Sequence, residues 1–185
     1  MWRILKLLLI SAALLVATPF LALAVYDLTV FQPRMPEIRA LLAKSEASEI
    51  SPPESLLKVL RVAHPKGTGS RVAGLLLYKL DVYPNENVGT FRRQLASTVW
   101  SALLGMHMSE QECITLFLNL SYMGNQTTGF AKASEKIVGV PLDKVSIEQA
   151  ARLMTVSKSP SAYLGSPERF NRFSESLATR AKNAL

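Results

Sequence analysis

The sequence predicts a mainly α fold, with one compact helical domain behind an N-terminal membrane helix. Three observations predict it. Apolar residues recur at helical spacing in almost every segment between Pro- and Gly-rich breaks. Ser-x-x-Glu/Gln capping boxes stand at Ser51, Ser109 and Ser146, each just before such a segment. An uncharged stretch runs from Leu7 to Val25 behind Arg3 and Lys6.

The N-terminal stretch is about as long as a helix crossing the hydrocarbon core. Basic residues ahead of it hold the N-terminus in the cytoplasm and send the rest across. A second reading stands beside the anchor. Pro19 interrupts the apolar run, and Ala22-Leu23-Ala24 has the small-x-small form of a signal-peptide cleavage site. Both readings place the body of the chain outside the cytoplasm. Residues 1–25 are therefore an anchor or a removed signal, 26–50 a linker and juxtamembrane helix, and 51–185 the domain.

The elements follow in order. Tyr26 to Pro36 reads as a short linker, because Pro33 and Pro36 restrict the residues before them. Glu37 to Ala47 is a modest amphipathic helix. The box at Ser51 opens a helix to about Ala63, with Leu56, Leu57 and Leu60 inward. His64 to Gly69 is a loop. Arg71 to Leu80 is a buried helix, with a strand as the alternative for so short an apolar run. Asp81 to Gly89 is a second loop. Phe91 to Met106 is a helix with Leu95, Val99, Ala102 and Leu103 on one side. The boxes at Ser109 and Ser146 open two more helices, and Ser166-Pro167 starts the last, with Ser as cap and Pro as first helical residue.

With 185 residues, 49% of them hydrophobic, the chain is long enough for one real core. A net charge of +7 favours polyanionic partners. Yet the Lys and Arg residues are scattered, with no ladder of aromatics between them, which argues against nucleic acid. The single cysteine, Cys113, leaves no internal disulfide and no multi-thiolate metal site. His64 and His107 are too isolated to suggest zinc, so no metal site is expected from the residues themselves.

The run from Ser109 to Tyr163 is the most specific part of the chain. Phe117-Leu118-Asn119 closes a helix, and Tyr122, Gly124 and Gly129 follow it. Gly139-Val140-Pro141, Glu148-Gln149-Ala150-Ala151 and Ser159-Pro160-Ser161-Ala162-Tyr163 come after in order. This order resembles the C-terminal half of the family 51 glycosyltransferases, the peptidoglycan polymerases, and most closely their monofunctional members. The resemblance implies a lysozyme-like helical fold and lipid II or a glycan strand as ligand. It also implies a bacterial inner membrane setting, in which the domain faces the periplasm or cell exterior. Other cell-wall synthesis proteins are the partners it implies, and a divalent cation the only cofactor it admits. In this block Asn119, Tyr122, Gly124, Gly129, Gly139 and Pro141 take family-motif positions of a largely architectural kind. From the residues alone, Asn119 reads as a helix end and the two loop glycines as turns needing positive φ.

The front half departs from that pattern. The family has a Glu-Asp motif after a Pro-x-x-Leu-Leu helix, and its Glu deprotonates the incoming sugar hydroxyl. This chain has Pro53-Glu54-Ser55-Leu56-Leu57, and then His64-Pro65 where Glu-Asp would stand. The next two family motifs compete for one stretch, Gly89 to Ser97, and the second family Glu has no counterpart. Joining sugars from a lipid pyrophosphate needs a base at the attacking hydroxyl and cations at the leaving group. Between Ala63 and Ser109 the only carboxylates are Asp81 and Glu86. The candidates for a relocated proton acceptor are thus His64, with a suitable ordinary pKa, and Glu86; a structural loop histidine and a solvated charge are the plain alternatives. Arg92, Arg93 and Lys158 are the candidates for pyrophosphate, or else solvated and helix-capping charges. The expected function is a glycosyltransferase-like domain whose catalysis is impaired or lost and which acts by binding, a pseudoenzyme. An active monofunctional transglycosylase is the alternative.

Overall fold

The structure, a computed structural model, describes residues 2–82 and 89–184. The chain divides into two compact units, one up to Arg39 and one from Ala40 onward.

In the first unit α1 runs Trp2–Tyr26 with Pro19 inside it. Among the described residues no helix is long and apolar enough to cross a membrane. Many side chains between Arg3 and Val16, on which the anchor expectation rests, lie outside the described set. The expected linker is not extended. A π-helical turn, Asp27–Phe31, leads into a 3-10 turn, Gln32–Arg34, and then α2, Met35–Ala43. Pro33 and Pro36 do break a uniform α-helix. Pro33 lies within the 3-10 turn and Pro36 is the second residue of α2.

The second unit holds α3 (Ala47–Ile50), α4 (Glu54–Ala63), α5 (Gly69–Lys79), α6 (Thr90–His107), α7 (Glu110–Leu120), α8 (Phe130–Val138), α9 (Ile147–Lys158), α10 (Pro160–Leu164) and α11 (Pro167–Asn183). No strand occurs among the described residues; an isolated bridge pairs Tyr122 with Thr128. The helix expected from Glu37 ends at Ala43, and a Glu46–Glu49 capping box starts α3 instead. The box expected at Ser51 does not form. Ser51 ends α3, and the extended Pro53, ψ 152°, precedes α4 with no side-chain cap. The Ser51 N–H that a box would need already donates to the Ala47 carbonyl at 3.0 Å, and Pro53 disfavours a helical conformation at Pro52 before it, so α4 cannot start early enough for Ser51 to cap it. The Ser109 and Ser146 boxes are present, each with its side chain and backbone bonds. Ser166 precedes α11 with Pro at its start, but makes no side-chain cap bond. α5 settles the helix–strand alternative as helix.

α9 is the central pillar, packed on α4, α8, α10 and α11, while α5 packs on α6 and α7. α7 is buried over most of its length and α9 over half of it. The inward stripe of α6 is Ala96, Trp100, Leu103 and Leu104, one position on from the expected one. Leu95 and Ala102 are exposed. The shift puts Trp100, the largest apolar side chain of the helix, at zero exposure.

Candidate functional site

A cleft of about 400 Å³ opens where α5, α6 and α7 meet the end of α9. Arg71 and Gly74 come from α5, Ser97 from α6, Phe117 from α7, and Ser157 and Lys158 from the last turn of α9. Tyr122, in the bridge that follows α7, is a further wall. The described lining offers two cations and several hydroxyls but no Asp or Glu. Such a lining suits an anion that also carries hydroxyls.

Lys158 is exposed as a residue, yet partial desolvation of its amine pushes its pKa down first, and Arg180 and then Arg71 lower it further. Arg180 reaches in from α11, where its Nη2 donates to the Val62 carbonyl at 3.2 Å. Three cations thus share one neighbourhood. His64 sits behind the cleft at the end of α4. Its ring meets Phe117 edge-on, centroids 5.2 Å apart. Burial, then Arg71 and Lys158, lower its pKa to about 4. Its Nε2 is buried without a hydrogen-bond partner. At neutral pH the imidazole is uncharged, and its lone pair is a poor proton acceptor.

The sequence candidates separate. Lys158 and Tyr122 line the cleft and His64 backs it. Arg92 and Arg93 lie in the first turn of α6, exposed and outside the described lining. Ser97, one helical turn past Arg93, does line it. Glu86 lies outside the described residues.

The family-motif residues are mostly framework. Asn119 does not end its helix freely: its Nδ2 donates to the Leu41 carbonyl at 3.0 Å and to Ser45 Oγ at 2.9 Å, tying α7 to the end of α2. Gly124 lies in the turn that the bridge closes, with positive φ. Gly139 ends α8 in the left-handed conformation, and Pro141 opens the 3-10 turn after it. Gly129 has φ +93°, and a Cβ there would stand 3.0 Å from Glu49 Oε1 and 3.3 Å from the Asn119 carbonyl.

Glu49 was not singled out by the sequence, nor were Arg71 and Arg180. Glu49 is 2% exposed, and burial raises its pKa. Its Oε1 accepts from the Ala131 N–H at 3.1 Å, and its Oε2 from the Glu46 N–H at 3.2 Å. A carboxylate at the start of α8 also meets the positive end of the helix dipole. Phe130, the first residue of α8, meets Phe117 with the rings tilted at 49° and their centroids 5.7 Å apart. The contacts therefore run from Glu49 through α8 to the wall of the cleft. A single acid between Ser48 and Ile50 has no pattern that could have revealed this. Arg71 had one faint signal, a charge just ahead of the apolar run from Val72 to Leu77.

No group of three His, Cys, Asp or Glu side chains gathers to hold a metal ion among the described residues. No step below uses a divalent cation.

The sequence pattern of the Transglycosylase family matches residues 72–183, from the first turns of α5 to the end of α11. The chain belongs to the Transglycosylase family. Over 60 residues this transglycosylase-family chain is 38% identical to penicillin-binding protein 2a of Streptococcus pneumoniae, covering 32% of the chain and 8% of that protein. Over 75 residues it is 35% identical to penicillin-binding protein 1A/1B of Bacillus subtilis, covering 40% of the chain and 8% of that protein. Over 73 residues it is 30% identical to a putative transglycosylase of Cupriavidus necator, covering 40% and 32%. The alignments thus span a small fraction of the penicillin-binding proteins and about a third of the third relative. Arg92, Arg93, Lys158 and Arg180 fall inside the family match, and His64 and Glu49 fall before it.

Proposed function

We propose that the chain is an envelope-facing transglycosylase-like domain of peptidoglycan synthesis. Its cleft binds the pyrophosphate and nearby sugars of lipid II, or a glycan strand, with transfer chemistry impaired or lost. It then works by holding this ligand or a cell-wall synthesis protein. The observation that carries the reading is the charge of the cleft: Arg71 and Lys158 on its walls, no carboxylate in its described lining, and a weak imidazole behind it. Cations of this kind favour a diphosphate. An imidazole shifted from 6.5 to about 4 is a base weaker by a factor of roughly 300, and general-base catalysis follows basicity. The uncharged Leu7–Val25 stretch supports a single-pass inner-membrane anchor, with secretion after cleavage as its alternative. N-terminal sequencing of the mature protein decides between them.

The second reading is an active transglycosylase. In its favour, His64 is uncharged at neutral pH and so can accept a proton, and Glu86, outside the described residues, stays a candidate on the sequence alone.

One experiment separates the two. The purified full chain is incubated with lipid II, with binding and polymer followed together. Binding without polymer supports the first reading. Polymer from the wild-type chain overturns it, and its loss in Glu86→Gln or His64→Gln would then name the base.

A further inference from the structure

We propose a second anion-binding site, separate from the cleft, in which Lys136 and Arg152 hold a phosphate or carboxylate group over an apolar floor. The site is a cavity of about 280 Å³ between α8, α9, α11 and the turn closed by the bridge. It shares no lining residue with the cleft.

Three observations converge on it. First, the two cations are held by neutral groups. Lys136 Nζ donates to Thr127 Oγ1 at 3.1 Å. The Arg152 guanidinium lies over the Phe170 ring, 4.9 Å from its centroid. The lysine keeps two of its three donors, and a ring under the guanidinium face leaves its in-plane N–H donors for another partner. Second, neither has an ion-pair partner among the described residues, and no Asp or Glu lines the cavity among them. Two like charges facing one cavity without an acid repel each other, and an anion between them removes that repulsion. By contrast the 580 Å³ groove beside α3 and α8 is lined by Glu46, Glu135 and Asp143. Third, the floor is apolar. Met123, Ala133 and Phe170 are all buried, and a low-dielectric floor strengthens the attraction above it. The volume suits an oxyanion with a small apolar appendage rather than a bare ion.

The lining also places this cavity next to the cleft along the chain. Ser121 and Tyr122 face the cleft, and Met123, Gly124, Asn125 and Thr127 face the second cavity. The turn after α7 therefore serves both.

The test uses the full chain in detergent micelles, with side-chain NMR signals of Lys136 and Arg152 and the backbone of 123–127 followed. Sodium phosphate and sodium acetate are titrated separately at constant ionic strength. Saturable shifts confined to these residues are expected, at least ten-fold weaker in Lys136→Gln/Arg152→Gln and unchanged in Lys158→Gln. Tighter binding of phosphate assigns a phosphate-bearing ligand; tighter binding of acetate assigns a carboxylate-bearing one. Both cations are exposed, so the double variant keeps its core; Lys136→Arg/Arg152→Lys, which keeps the charge, retains the shifts. Non-saturating shifts, or shifts unaltered in the Gln double variant, overturn the site. The readout does not involve Lys158, so its failure is distinct from failure of the cleft reading.

Discussion

Replacing Gly129 by alanine tests the framework behind the cleft. The backbone there has φ +93° and ψ 142°, a region that only glycine occupies easily. A side chain in it costs about 1–3 kcal/mol. The new Cβ would also lie 3.0 Å from Glu49 Oε1 and 3.3 Å from a backbone carbonyl that cannot retreat. Glu49 must move, and it is buried and bonded to the N-terminus of α8. Losing its charge-assisted bond to the Ala131 N–H costs about 1.5–3 kcal/mol more. The expected total is about 3–5 kcal/mol, a large share of the 5–15 kcal/mol of a typical domain. Urea denaturation followed by circular dichroism measures it. A cycle with Glu49→Ala separates the two contributions, because removing the carboxylate relieves the contact and leaves the backbone strain. The double variant should therefore be about 1–2 kcal/mol more stable than the sum of the single changes predicts. A Gly129→Ala cost below about 1 kcal/mol, or strict additivity, would refute the contact between Glu49 and this glycine.

His64 should make the fold acid-sensitive. Its folded pKa of about 4 lies below the ordinary 6.5, so its contribution is full above pH 6.5 and is lost as pH falls through 4. Its half-buried position limits the loss to about 1–2 kcal/mol, and His64→Gln should flatten that part of the stability–pH curve. Glu49 runs the other way. Its raised pKa means the folded state holds the proton better, so its net contribution grows as pH falls through that pKa, and Glu49→Gln should remove this dependence. Lys182→Ala should cost less than about 1 kcal/mol, because the Glu148–Lys182 pair it breaks is exposed; a larger loss in urea melts contradicts this.

The helices were legible because their signals are local. The Ser109 and Ser146 boxes need only four residues each, and both form. The Ser51 box failed because its spacing matched while Ser51 was already committed to ending α3 and the Pro-Pro pair delayed the start of α4 to Glu54. The α6 stripe slipped by one because an 18-residue helix with apolar residues on several sides has more than one passable stripe, and the packing of Trp100 chose between them. The cleft was legible only in part. Lys158 and Tyr122 belong to an ordered run of motifs, so their neighbourhood could be anticipated. Arg71, Arg180 and Glu49 reach their places through tertiary contacts across long stretches of chain. Glu49 alone is 82 residues from the amide it caps. No spacing rule connects such positions.

The three cations at the cleft also fix how binding should respond to pH. Lys158 loses basicity through burial, and then through Arg180 and Arg71. A bound diphosphate reverses the charge around it and favours the protonated amine. Binding and protonation are then linked. Affinity should be flat while Lys158 is charged in the free protein, and fall as pH rises past its lowered pKa. The fall should begin earlier than an ordinary lysine would allow. Lys158→Arg, charged throughout, should bind at neutral pH and lose the dependence. Lys158→Gln should bind roughly ten-fold more weakly at neutral pH and also show none, since losing one charged hydrogen bond of this kind costs about 1.5 kcal/mol. Lipid II or pyrophosphate binding measured from pH 7 to 11 tests this. A wild-type fall that persists unchanged in Lys158→Arg would mean that another group titrates and that Lys158 does not meet the anion.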